Sequence, residues 1–165
     1  ALLIAFFGMN WAGNNYSNTA LGEEMYSGYD LPNVRSGNNT VHPFSEGLTA
    51  FQNENYDEAI QFFNGIVVDD PRYPEAQFYL GQAYLESENF VAAATQLEKV
   101  ARLNDVRYTE DAEWYQLIAQ LSSGETNANF DSLLTKITTD KDHTFNKQAT
   151  ELEGKLNSMW RKLAF

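Results

Sequence analysis

Residues 44–66, FSEGLTAFQNENYDEAIQFFNGI, and residues 78–100, FYLGQAYLESENFVAAATQLEKV, carry one pattern twice at an offset of 34 residues. In register, Phe44 stands over Phe78, Gly47 over Gly81, Tyr56 over Phe90, Ala59 over Ala93, Phe63 over Leu97 and Ile66 over Val100. Within each copy the apolar residues fall at helical spacing on either side of a turn, marked by Glu88-Asn89 in the second, so each copy predicts two antiparallel helices. Gly47 with Ala59 and Gly81 with Ala93 are small where those helices cross, because a larger side chain would push the axes past their usual separation of roughly 8–10 Å. Pro71 closes the first copy and Pro74 opens the next helix.

A third, worn copy follows once two residues are inserted. The stretch DAEWYQLIAQLSSGETNANFDSLLTKI (111–137) sets Ala112 over Ala76, Trp114 over Phe78, Tyr115 over Tyr79 and Leu121 over Leu85. Leu117 stands where the glycine would be and Asn129 where the alanine would be, so the third crossing is expected to be wider or shifted. A helix-turn-helix unit repeating at 34 residues resembles the tetratricopeptide repeat (TPR) family. The resemblance implies an all-α, right-handed superhelix of about three helical hairpins, over 44–73, 74–107 and 110–138. It also implies a concave groove lined by the first helix of each repeat. Carried over position by position, the groove takes Phe44, Leu48 and Phe51 from the first copy, Phe78, Gln82 and Leu85 from the second, and Trp114, Ile118 and Leu121 from the third. Such an apolar lining suits a peptide with hydrophobic anchors. Equally, these side chains can be the core between repeats. The groove lacks the Lys and Asn residues with which chaperone-tail-binding TPRs clamp a carboxylate.

Composition narrows the function. The chain has 165 residues, 43% of them hydrophobic, and a formal charge of −12. Residues 44–123 hold fourteen Asp and Glu against four Lys and Arg, and residues 124–165 hold six of each. A surface that acidic repels phosphate backbones, which argues against a nucleic-acid partner. With no cysteine there is no disulfide, no thiolate metal site and no thiol nucleophile. His42 and His143 are the only histidines, and neither has a second histidine or a cysteine one helical turn away. There is no glycine-rich phosphate loop, nucleophile elbow or calcium loop. The expectation is therefore a protein that is not an enzyme and uses no metal, cofactor or small-molecule substrate.

At the N-terminus Ala1 to Phe7, ALLIAFF, run straight into Gly8 and Trp11. Residues 1–11 read as the end of a longer membrane or signal-anchor helix, with Trp11 at the membrane interface. No Lys or Arg occurs between Ala1 and Val34, which puts the repeats on the outer, periplasmic side of a membrane. A short core helix or a groove-bound segment at Ala1 to Phe7 is the alternative, and would suit a cytoplasmic protein. Residues 12–43, rich in Asn, Gly and Tyr, read as an extended linker with a possible short helix near Ala20 to Tyr26. Tyr16, Tyr26, Tyr29, Leu31 and Val34 are candidates for a strap lying on the repeats.

Residues 139–165 form the last element. Phe145, Ala149, Leu152, Leu156, Trp160 and Leu163 make one apolar stripe, read as a capping helix from 141 to 165 of about five turns. The order of apolar helix, Tyr- and Pro-containing linker and repeats resembles membrane-anchored TPR proteins of Bacteroidetes-type bacteria. That resemblance implies an accessory or assembly subunit of a membrane complex, with protein partners among the membrane subunits. A soluble peptide-binding adaptor or a chaperone-like holdase is the alternative.

Overall fold

The computed structural model describes residues 2–26, 28–29, 42–159 and 161–163, with side chains described from Gly8 onward and not at Leu163. Among the described residues the chain is helical throughout: α1 Leu2–Tyr16, α2 Asn18–Met25, α3 Pro43–Gln52, α4 Tyr56–Asn64, α5 Tyr73–Glu86, α6 Phe90–Leu103, α7 Thr109–Ser123, α8 Ala128–Thr139, α9 Asn146–Leu156, and a 3-10 turn at Arg161–Leu163. The helices divide into two units, residues 28–116 and residues 1–27 with 117–165.

The unit of residues 28–116 is built on the two crossings. A Cβ added at Gly47 would lie 2.6 Å from the Phe63 ring, and one at Gly81 would lie 2.6 Å from Leu97. Phe63 and Leu97 occupy matching positions of the 34-residue register, so each glycine is the seat of the large residue on the helix it faces. Ala59, Ala93, Phe63 and Leu97 are all fully buried. Burying a side chain such as Phe63 contributes about 2–3 kcal/mol, which the close approach secures. α4 in turn packs against α5, linking one hairpin to the next.

The turns inside the hairpins are built alike. Glu54 and Glu88 adopt left-handed φ of 61° and 58°. Each lets the following Asn donate its backbone N–H back to the first helix, Asn55 to Ala50 O at 2.9 Å and Asn89 to Tyr84 O at 2.8 Å. The third hairpin keeps this turn with the residue best suited to it: Gly124 has φ 82°, and Glu125 N–H donates to Gln120 O at 2.9 Å.

The third hairpin departs at its second helix. Asn127 accepts from the N–H groups of Asn129 and Phe130, so α8 starts at Ala128, later in register than α6. Asn129 consequently lies exposed in the first turn while Leu117 is fully buried.

The second unit, residues 1–27 with 117–165, corrects two expectations. Residues 12–26 are not an extended linker, and the short helix expected near Ala20 to Tyr26 is α2. α1 runs past Trp11 to Tyr16, supported by the Asn15 amide donating to Trp11 O at 2.8 Å. Ser17 then caps α2, its hydroxyl accepting from Ala20 N–H at 3.2 Å. α2 buries Leu21 completely, and a Cβ at Gly22 would collide with the Ser122 side chain. The Asn-rich composition was therefore capping and helix-surface chemistry rather than linker chemistry. Of the strap candidates, Leu31 and Val34 lie outside the described residues.

The C-terminal stripe is also shorter than a five-turn helix. α9 ends at Leu156, where the exposed Gly154 weakens the last turn and Asn157 and Ser158 compete for the backbone. Ser158 Oγ accepts from Arg161 N–H at 3.3 Å at the start of the 3-10 turn. Ala149 and Leu152 are buried, with α9 packed on α8 and α2. Lys155 pairs with Glu24 at 2.6 Å, and the Arg161 guanidinium donates to Tyr16 O and Asn18 Oδ1. The chain's own N-terminal helices thus cover part of the stripe. Trp160 and the Leu163 side chain lie outside the described residues. No described helix is long and apolar enough to cross a membrane.

Gly81 and Gly154 should respond oppositely to a side chain. Gly154, with nothing near its absent Cβ, should gain about 1 kcal/mol on Gly154→Ala from helix propensity alone. Gly81→Val should lose about 2 kcal/mol or more through overpacking against Leu97. Urea denaturation of the two variants checks both signs.

Candidate functional site

The inter-repeat turns prepare the site. Asp70 Oδ1 accepts from Arg72 N–H at 2.8 Å and Asp105 Oδ1 accepts from Arg107 N–H at 3.0 Å. These bonds fix the turns DPRY (70–73) and DVRY (105–108), which aim each arginine at a ring. The Arg72 guanidinium lies 5.5 Å from the Phe44 ring centre and that of Arg107 lies 5.1 Å from Tyr108. Tyr108 stacks on Phe78 at 5.3 Å. Since Phe44 and Phe78 are equivalent positions, the same turn serves the first helix of both repeats. Arg107 also clamps the Asp105 carboxylate at 2.7 Å and holds its pKa below the usual carboxylate range.

His42 belongs to the same construction. Its Nδ1 accepts from Phe44 N–H at 3.1 Å and caps α3, which leaves the proton on Nε2 to be donated to Asp70 Oδ2 at 3.1 Å. His143 caps the chain ahead of α9 in the same way, its Nδ1 accepting from Phe145 N–H at 3.1 Å. Both histidines accept from a backbone N–H two residues on, and among the described residues no cluster of His, Asp and Glu is placed to hold a metal.

Tyr29 sits at the centre of the aromatic face so prepared. Its ring meets Phe78 edge-on at 4.8 Å and approaches Tyr79 at 6.0 Å and Tyr115 at 6.1 Å. Tyr79 continues the cluster by stacking on Phe63 at 5.9 Å and meeting Phe44 at 6.1 Å. The electrostatics are set by carboxylates. Burial first, then Asp111 and Glu75, raise the Tyr29 hydroxyl above its ordinary pKa. Burial also raises Tyr79, and it pushes Tyr108 up to about 12, helped by Glu75. Every one of these tyrosines is held in its neutral, hydrogen-donating form at physiological pH.

The nine candidate groove residues, Phe44, Leu48, Phe51, Phe78, Gln82, Leu85, Trp114, Ile118 and Leu121, are all buried. None offers an open surface as the molecule stands. Phe78 is fully covered and Tyr29 is one of the groups covering it. Gln82, one helical turn beyond Phe78 on the same face of α5, is 0% exposed, and among the described residues neither its Oε1 nor its Nε2 has a hydrogen-bond partner. An amide buried without partners costs about 1–3 kcal/mol in proteins. Gln96, by contrast, donates to Gln77 Oε1 at 2.8 Å. Trp11 is 49% exposed on α1, with its ring 5.8 Å from Tyr16.

Residues 50–121 match the tetratricopeptide repeat family. The matched stretch takes in most of the first two hairpins and α7 almost to its end, and with the helical architecture it gives the chain an all-α, TPR-like fold. The comparisons find no curated protein and no solved structure that matches the chain. TPR repeats are protein-interaction modules and the family is typically non-catalytic, so binding is the chemistry this stretch points to. The TPR register located the groove positions and set Tyr115 over Tyr79, and Tyr29 was a strap candidate, but Tyr108 was not located. The signal that would have found Tyr108 is the D-x-R-Y pattern repeated at both turns, since the Asp orients the Arg and the Arg needs a ring.

Two outcomes follow from this cluster. Tyr108 has its folded pKa raised above 10, so the stability it contributes is complete below pH 10 and is lost as pH rises toward about 12. Alkaline titration followed by circular dichroism should show unfolding in that window, and Tyr108→Phe should make the dependence shallower by up to about one proton. Phe78→Ala should destabilise the chain by about 3–5 kcal/mol, read by thermal or urea unfolding, because the ring is fully buried among aromatic neighbours.

Proposed function

We propose that the protein is a non-catalytic scaffold that holds another protein, serving as an accessory or assembly subunit of a membrane protein complex on the periplasmic side. The observation that carries this reading is the 34-residue register of helix pairs, with its glycine crossings and its TPR match over residues 50–121. The tether rests on the apolar run Ala1 to Phe7 at the head of α1, the half-exposed Trp11 and the absence of Lys and Arg before Arg35. Anchoring keeps the scaffold at high effective concentration near membrane subunits, so a modest grip suffices. The order of apolar segment, Tyr- and Pro-containing linker and repeats resembles that of membrane-anchored TPR proteins of Bacteroidetes-type bacteria, which supports the same reading.

A second reading, a peptide-binding adaptor that works in solution, is favoured by one contact: the chain already seats its own Tyr29 on the second repeat. Gentle-detergent extraction of the native protein, followed by size-exclusion chromatography and mass spectrometry, separates the two. A discrete complex of fixed stoichiometry is expected. Recovery as a free monomer without detergent would overturn the tether and leave the adaptor.

A further inference from the structure

We infer that the second repeat takes a tyrosine-anchored, basic, extended peptide, and that Tyr29 is the chain's own stand-in for that anchor. The inference rests on the scaffold reading and specifies its ligand. Three observations carry it. Tyr29 reaches α5 from outside the repeat pattern and places its ring edge-on to Phe78, with Tyr79 and Tyr115 beside it. The seat is therefore shaped for an aromatic ring delivered by a chain segment. Tyr29 itself stays half-buried, so an aromatic ring from another chain has a path to the same place.

Charge selects the rest of the ligand. Glu75 and Asp111 both act on the Tyr29 hydroxyl. Residues 44–123 hold fourteen acidic against four basic residues. A neutral tyrosine hydroxyl lies near these carboxylates without repulsion, whereas an acidic or phosphorylated anchor would be repelled. Flanking Lys and Arg would be drawn to the acidic surface.

The third observation is Gln82. It follows Phe78 by one turn on the same face of α5, and it is buried with donor and acceptor both unused among the described residues. An extended peptide carries one N–H and one C=O per residue, which is the pair a side-chain amide completes. Gln82 is wholly enclosed while Tyr29 holds the seat, so a peptide backbone meets its amide only once Tyr29 and its segment have left. Occupation by Tyr29 lowers the affinity for such a peptide by the fraction of molecules in which the seat is free.

The test uses the whole chain and a fluorescein-labelled Lys-rich peptide with a single central tyrosine, read by anisotropy. Tyr29→Ala should bind this probe about tenfold more tightly than the native chain. Versions of the probe with alanine or phosphotyrosine at the centre should bind at least tenfold more weakly, and added salt should weaken the tyrosine probe. Equal affinity of the native chain and a folded Tyr29→Ala variant would overturn the stand-in role. Equal affinity for the tyrosine and alanine probes would overturn the anchor. In either case a partner complex recovered from membranes would leave the scaffold reading standing. Should Tyr29→Ala unfold, 3-fluorotyrosine placed at position 29 of the native chain replaces it. Saturating tyrosine probe should then move its fluorine resonance to a solvent-exposed position, and an unmoved resonance would refute the displacement.

Discussion

A glycine facing a large side chain across two helices is the constraint on which the repeats depend. At Gly47 and at Gly81 there is no room for a Cβ, because the Phe63 ring and Leu97 already lie 2.6 Å from where it would stand. That contact lets the helices of each hairpin close, and closing buries the matched alanines, Ala59 and Ala93. The cost is intrinsic helix stability, since glycine inside a helix is worse than alanine by about 1 kcal/mol. Packing outweighs it, as full burial of one Phe or Leu contributes about as much or more.

The aromatic face follows from the same geometry. Once the first helices of successive repeats stand side by side, their ring-bearing positions meet, and Phe44, Phe63, Tyr79, Phe78 and Tyr108 form one continuous cluster within residues 28–116. Asp70 and Asp105 hold the turns that aim Arg72 and Arg107 at its edge. Tyr29 closes the cluster from a segment outside the repeats. Glu75 and Asp111 stand close enough to raise the Tyr29 hydroxyl, so the buried aromatic cluster is flanked by carboxylates.

Legibility in the sequence varied with the range of the interaction that decides each feature. The hairpins of residues 44–103 were readable because their signals are local: apolar spacing, a glycine at each crossing, and Pro71 and Pro74 between the two copies. The third hairpin was readable as a hairpin, but its register shift depends on Asn127 capping α8 later than the repeat predicts. The short helix expected near Ala20 to Tyr26 is α2, but residues 12–17 differ from the extended reading because Asn, Ser and Gly serve caps and helix surfaces as readily as linkers. Only the burial of Leu21 and the contact of Gly22 with Ser122, a hundred residues along the chain, select helix. The C-terminal stripe was overextended because periodicity does not register that Asn157 and Ser158 leave the helix.

By itself, then, the sequence determined the helical repeat and its crossings, since a 34-residue register of small and aromatic residues admits no other economical packing of consecutive helices. It also determined the acidic character of the repeats and the absence of thiol chemistry, which are matters of composition. The tertiary structure alone decided that the candidate groove residues are buried rather than open, and that Tyr29 is one of the groups covering Phe78. It also decided that the Gln82 amide is enclosed without a hydrogen-bond partner among the described residues. These depend on which distant segment reaches a given face, and periodicity along one helix carries no information about what lies across from it.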